Sequence, residues 1–247
     1  ARESGTSTIF MRNCNHVGRL GSYTQQAAFQ KFAAMMLVNG PASGGVAPYG
    51  AMEGRMGTNP ITIAAPWGDD AMVLDMTSSA TAEGKVRVAY QKGVPVPEGQ
   101  LIDAEGQPTT DPATYYADPG GAILPLGGNL GFKGYGLSVM IDVFGGMLSG
   151  FGICRTDLPP GTNGVWMYLV DVSAFTDLDD YQALVAQYVA HIKAARKLPG
   201  VDEILMPGEI ELRRQEQRTA EGVDVPEETW RQISELAGRL SVTLDGV

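Results

Sequence analysis

The 247 residues contain two histidines, and they differ in what chemistry their surroundings allow. His16 ends the polar run Asn13-Cys14-Asn15-His16, just after a strand expected over residues 8–12, with Gly18 and Gly21 close behind. A glycine-bordered polar loop lets a small molecule come close to the ring, and imidazole titrates near neutrality. His16 is therefore either a proton-transfer group or a hydrogen-bonding loop residue. His191 falls at the edge of an apolar helical stripe and reads as a helix-boundary residue. The stretch 127–136, with five glycines and Lys133, precedes a helix. Backbone N–H groups and an ammonium there suit a phosphate, although a plain loop and helix start fit as well. Asp75 heads the run Asp75-Met76-Thr77-Ser78-Ser79, where it either meets a ligand or caps the helix that follows. Asp103, Asp111 and Glu209 stand singly. The sequence has no H-x-x-x-H or H-x-H metal spacing, no G-x-S-x-G elbow, no P-loop and no G-x-G-x-x-G after a strand.

These residues need elements to hold them. Apolar spacing predicts helices over 22–36, 79–91, 133–148 and 181–198, and further helices from about residue 209 and from Pro226. Short apolar runs predict strands over 35–38, 61–65 and 72–74, the last two joined by a turn at 68–70, and a buried strand over 165–170. In the helix 181–198, the residues Tyr181, Leu184, Val185, Tyr188, Val189 and Ile192 form the face expected to be buried. Residues 93–131, rich in Pro, Gly and Asp, read as a long excursion of turns. Strands and helices are mixed without strict alternation, which indicates an α/β or α+β class.

Composition narrows the function classes. Eighteen Lys and Arg against 28 Asp and Glu give a net charge of −10, which disfavours nucleic acid and anionic membranes. Cys14 and Cys154 are too few for a disulfide framework and are expected to be free thiols in a reducing, cytoplasmic setting. The sequence has no apolar run of about 18 residues that would span a bilayer. The start, ARESGTSTIF, has neither the basic nor the apolar part of a secretion signal.

Taken together, several of these stretches resemble the type-2 malate/L-lactate dehydrogenase family of NAD(P)-dependent 2-hydroxyacid oxidoreductases. The matching pieces run in order over nearly the whole chain. They are Asn13-Cys14-Asn15-His16-Val17-Gly18, Val46-Ala47-Pro48-Tyr49-Gly50, Gly57-Thr58-Asn59-Pro60 and Asp75-Met76-Thr77-Ser78-Ser79. Gly84-Lys85, Pro108-Thr109-Thr110-Asp111-Pro112, Lys133-Gly134-Tyr135-Gly136-Leu137 and Pro207-Gly208-Glu209 complete the series. The resemblance implies a non-Rossmann fold, a mainly antiparallel sheet surrounded by helices with a C-terminal helical part. It further implies a homodimer, NAD or NADP as cofactor, and a small 2-hydroxyacid or 2-oxoacid as substrate.

By the same resemblance, His16 matches the proton acceptor, and Asn39, Gly40, Asp75, Met76, Thr77, Lys133, Gly134, Gly208, Glu209 and Ile210 match cofactor-contacting segments. Asp75 would also orient a polar partner near the reacting ring, and Thr162 lies near a substrate-contacting position. The expected organisation is a strand-loop-helix over 1–30 bearing His16, a cofactor-binding domain over 31–200, and C-terminal helices over 201–247 on the substrate side. Family members begin with a further helical segment, carrying an Arg and a Tyr for the substrate carboxylate, that has no counterpart here. Its absence is expected to leave an apolar patch and weak turnover. The loop 39–50 is also longer and richer in glycine than the family pattern. Two rival readings are an imino-acid reductase of the same fold and a noncatalytic chain that binds nucleotide or pairs with a complete relative.

Overall fold

The computed structural model describes residues 1–40, 44–154 and 162–244. They form two compact units, one of residues 1–208 and one from residue 209 onward. At the centre of the first is a five-stranded antiparallel sheet of β1 (Thr6–Cys14), β2 (Phe32–Asn39), β3 (Pro60–Trp67), β4 (Asp70–Thr77) and β8 (Asn163–Asp171). The strand order is β1-β8-β2-β3-β4, so the chain's first and last strands of the sheet pair with each other. A mixed fold built on an antiparallel sheet is what the resemblance implied.

Strand β2 shows why its sequence is almost continuously apolar. Ala34, Met36 and Val38 face one side, among Ala27, Leu20 and Val165, while Met35 and Leu37 face the other, beside Ile141 and Phe144. Successive side chains alternate faces, and here both faces are covered. Helix α1 (Gly21–Phe29) covers the first face, where Thr24 and Thr62 share a buried 2.8 Å hydroxyl contact. Helix α3 (Gly131–Ile141) covers the second and runs on as a π-helical turn, Asp142–Met147.

Three sequence expectations are corrected. The helix expected over 22–36 ends at Phe29, because Lys31 takes a left-handed φ of 66° and the next residues join the ladders of β2 with β3 and β8. Residues 93–131 are more than turns. They hold a small antiparallel sheet of β5 (Leu101–Ile102), β6 (Pro108–Thr109) and β7 (Ala122–Ile123), and Leu101 and Ile123 pack with Val86 of α2 (Glu83–Lys92). Helix α4 (Leu178–Lys193) buries only Val189, leaving Leu184 64% and Tyr188 57% exposed. It grips the β3–β4 hairpin through its first turn, where Tyr181 donates to the Pro66 carbonyl and Gln182 accepts from Gly68 N–H. Amphipathic spacing identifies an apolar stripe, but not what lies over it.

The second unit contains α5 (Glu209–Glu221) and α6 (Glu227–Leu240), close to the predicted starts. Among the described residues, no helix is long and apolar enough to cross a membrane.

Candidate active site

The loop bearing His16 is fastened on both sides of the ring. Strand β1 loses register against β8 between Met11 and Cys14, where Asn13 adopts a left-handed φ of 57°, and this bulge turns the chain out of the sheet. Asn163 of β8 donates to the Asn15 carbonyl at 3.0 Å, and Tyr23 of α1 donates to the Val17 carbonyl at 3.0 Å. Leu20, 5% exposed, pins the far end in the core beside Met36 and Val165. The imidazole itself remains exposed.

Asp75 reaches the same loop from β4. Its Oδ2 accepts the Gly21 N–H at 2.8 Å and lies 3.8 Å from Arg19 Nε. The capping alternative thus holds for a different helix: Asp75 serves the first turn of α1, whereas α2 begins after Ala82 without a side-chain cap. A carboxylate beside helix-terminal N–H groups is favoured by the helix dipole. The partly exposed Arg19 pair adds about 0–1 kcal/mol.

Between this loop, the end of β4 and the start of α2 lies a cleft of about 510 Å³. His16, Arg19, Asp75, Met76, Thr77 and Lys85 contribute to its lining, with Leu20, Pro60 and Leu126 as apolar wall. Strand β4 is an edge of the sheet, and its Val73 N–H points outward to the Pro207 carbonyl at 3.0 Å. Antiparallel alternation therefore turns the main-chain groups of Asp75 and Thr77 outward as well, along the border of the cleft. The cleft thus combines an apolar wall with a strand edge that turns main-chain donors and acceptors towards it.

The other sequence-predicted residues are placed elsewhere. Asn39, at the end of β2, is fully buried and donates from Nδ2 to Asp142 Oδ1 at 2.8 Å, and its own Oδ1 has no hydrogen-bond partner among the described residues. Burial raises the Asp142 carboxyl above the ordinary carboxylate range, against the opposing hydrogen bonds from Asn39 and Asn59. Gly40 N–H donates to Asn59 Oδ1 at 3.2 Å. Lys133 is exposed on the first turn of α3 and is not part of the cleft lining. Gly134 lies so close to Leu126 that a Cβ would stand 2.2 Å from its carbonyl oxygen, so α3 rests directly on a wall segment of the cleft. Gly208, at φ 99°, sits against Val73 of β4, while Glu209 and Ile210 open α5 in the second unit. Thr162 directly precedes β8. His191 lies in the last turn of α4, bordering a groove with Leu184, Gln187 and Tyr188.

Sequence reasoning did not single out Arg19 and Lys85 as site residues. Arg19 follows His16 by three positions, and Lys85 stands in the first turn of the helix after β4. A cation just beyond a strand end was the available signal in each case.

A non-Rossmann α/β unit with a cleft lined by His16 and Asp75 at the edge of an antiparallel sheet is the class that these features define. The family model of malate/L-lactate dehydrogenase matches residues 1–234, and the chain belongs to that family. It is 35% identical to an L-lactate dehydrogenase from Cupriavidus necator, over 98% of this chain and 70% of the relative. The malate dehydrogenase structure from Pyrococcus horikoshii superposes with a TM-score of 0.85 at 29% identity, covering 98% of this chain and 68% of that one. A Δ1-piperideine-2-carboxylate reductase from Pseudomonas syringae pv. tomato gives a TM-score of 0.76 at 28% identity, covering 96% and 70%.

Proposed function

We propose that the chain is an NAD(P)-dependent oxidoreductase for a small 2-hydroxyacid and its 2-oxoacid, with the His16 cleft as the reacting site. The observation that supports this most strongly is the meeting of His16, Asp75, Met76 and Thr77 in one cleft, in a chain whose family is that of malate and L-lactate dehydrogenases. A bound nicotinamide supplies the hydride acceptor or donor. In the oxidative direction, His16 takes the hydroxyl proton at an imidazole nitrogen, and in reduction it returns that proton to the new alcohol. Asp75 holds the His16 loop through Gly21 and Arg19, so the base is positioned before the substrate arrives. The outward main-chain groups of Asp75 and Thr77 orient the carboxamide, and Met76 and Leu126 exclude water beside it.

The resemblance also supports contacts from Asn39, Gly40, Lys133, Gly134, Gly208, Glu209 and Ile210 to the rest of the cofactor, and from Thr162 to substrate. Lys133, an exposed cation at a helix start, suits a phosphate. The same reading gives a homodimer in the cytoplasm, where the free thiols Cys14 and Cys154 stay reduced.

The piperideine-carboxylate reductase neighbour favours a second reading, in which the same cleft reduces a C=N bond. Reduction of 2-oxoacids alone, of the same acids with an amine, and of a cyclic imino acid, each with NADH and with NADPH, separates the two. Turnover of a 2-oxoacid without amine is the expected result. Turnover confined to the imine arms would replace the first reading with the second.

A further inference from the structure

We propose that Asn59 is a positioning residue for the nicotinamide cofactor, tying together three separate segments that would hold it, a proposal that rests on the dehydrogenase reading above. Asn59 is fully buried, just before β3, and its polar atoms are spent on three parts of the chain. Its Oδ1 accepts the Gly40 N–H at 3.2 Å, at the end of β2. Its Nδ2 donates to the Ser138 carbonyl and hydroxyl oxygens, each at 3.1 Å, one turn along α3 from Gly134. Its own carbonyl accepts the Ser78 hydroxyl at 2.9 Å and, shared with the Thr58 carbonyl, the Ser78 N–H. Ser78 directly follows Thr77, the last residue of β4, and its carbonyl in turn accepts the N–H of Leu126 in the cleft wall at 3.0 Å.

The stretch Gly57-Thr58-Asn59-Pro60 is shaped for this junction. Asn59 takes a left-handed φ of 39°, which asparagine tolerates better than most side chains do. A Cβ on Gly57 would stand 2.2 Å from the Gly40 carbonyl oxygen and 2.8 Å from Asn59 Oδ1, so glycine leaves room for the bond between them. A residue held in a sparsely populated backbone region persists only where its surroundings fix it, and here three elements do so. Asn59 touches no cleft atom and moves no proton. It fixes the spacing of Gly40, the end of β4 and α3, so that a long cofactor meets all three without first ordering them.

Calorimetric titration of the full chain with NADH and with NADPH tests this, because it reads affinity and the fraction of binding-competent molecules separately. Asn59→Gly keeps the left-handed backbone and the Ser78 bonds but removes the ties to Gly40 and Ser138. It should bind the preferred nucleotide about 10- to 100-fold more weakly at unchanged stoichiometry, the range for two or three lost hydrogen bonds. A merely structural role would instead lower the stoichiometry through unfolded molecules and leave the Kd of the folded ones as it was. Near-ultraviolet circular dichroism establishes whether Asn59→Gly folds. If it does not, Ser138→Ala decides: losing one acceptor of Nδ2, it should weaken binding about 2- to 5-fold. A parent-like Kd in the deciding variant overturns the proposal and leaves the dehydrogenase reading intact. A parent chain that binds neither nucleotide refutes that reading, and the role of Asn59 falls with it.

Discussion

His16 and Asp142 are the two titratable side chains whose surroundings say most about what they do. Removing a general acid–base group usually lowers turnover by roughly 10²–10⁴, and His16→Gln should fall in that range. Because the ring is exposed and its loop is held by Asn163, Tyr23 and Leu20, the variant should fold normally and keep its cofactor affinity. Near-normal steady-state turnover across pH would remove His16 from the reaction. Asp142 is a different case, a carboxyl raised by burial behind the sheet. A carboxyl raised on folding favours the native state below its unfolded value of about 3.9, and that contribution is lost as pH rises through the folded value. Asp142→Asn keeps an acceptor for Asn39 and removes this titration. Urea unfolding should show the parent losing stability relative to the variant as pH rises from the acid range, and parallel curves would contradict the assignment. The sequence made His16 legible through its glycines and polar neighbours. It offered no sign that Asn39 would pair with Asp142, 103 positions away, because a contact of that span is fixed only by how α3 lies across the sheet.

At the scale of elements, the close approach of α3 to the cleft wall can be tested with two glycines of one helix. Gly134→Ala places a methyl group on the Leu126 backbone and should destabilise by about 1–3 kcal/mol, as overpacking does, while weakening ligand binding. Gly136 meets nothing within 4 Å, so Gly136→Ala should stabilise by about 0.5–1 kcal/mol through helix propensity. Thermal unfolding of the two variants checks both signs, and equal effects would mean that α3 does not rest on Leu126. Most elements were readable from period and punctuation, including α5, α6 and the β3–β4 hairpin. Those that were misread share a cause. Residues 32–34 have helical neighbours in sequence but strand partners in space, and β5, β6 and β7 have only two residues each, too few to show a period. Tertiary pairing decided both.

For the whole molecule, the acidic balance of −10 and the cleft of about 510 Å³ around His16 both suit a small-molecule ligand, and they do so through different physics. The charge disfavours polyanionic partners, while Arg19 and Lys85 place two cationic side chains in the lining of the cleft. What composition could not convey is that these two cations meet at all, since 66 positions of chain separate them and only the sheet brings their loops together. The central claim is that this chain exchanges hydride between a nicotinamide cofactor and C2 of a small hydroxyacid. The most direct test is to incubate it with C2-deuterated L-lactate or L-malate and NAD⁺ or NADP⁺, then follow the label by mass spectrometry. Deuterium should pass into the reduced nicotinamide for at least one acid, and that transfer should be lost in His16→Gln. No label in either nucleotide from either acid, or transfer unaffected by the His16 substitution, would contradict it.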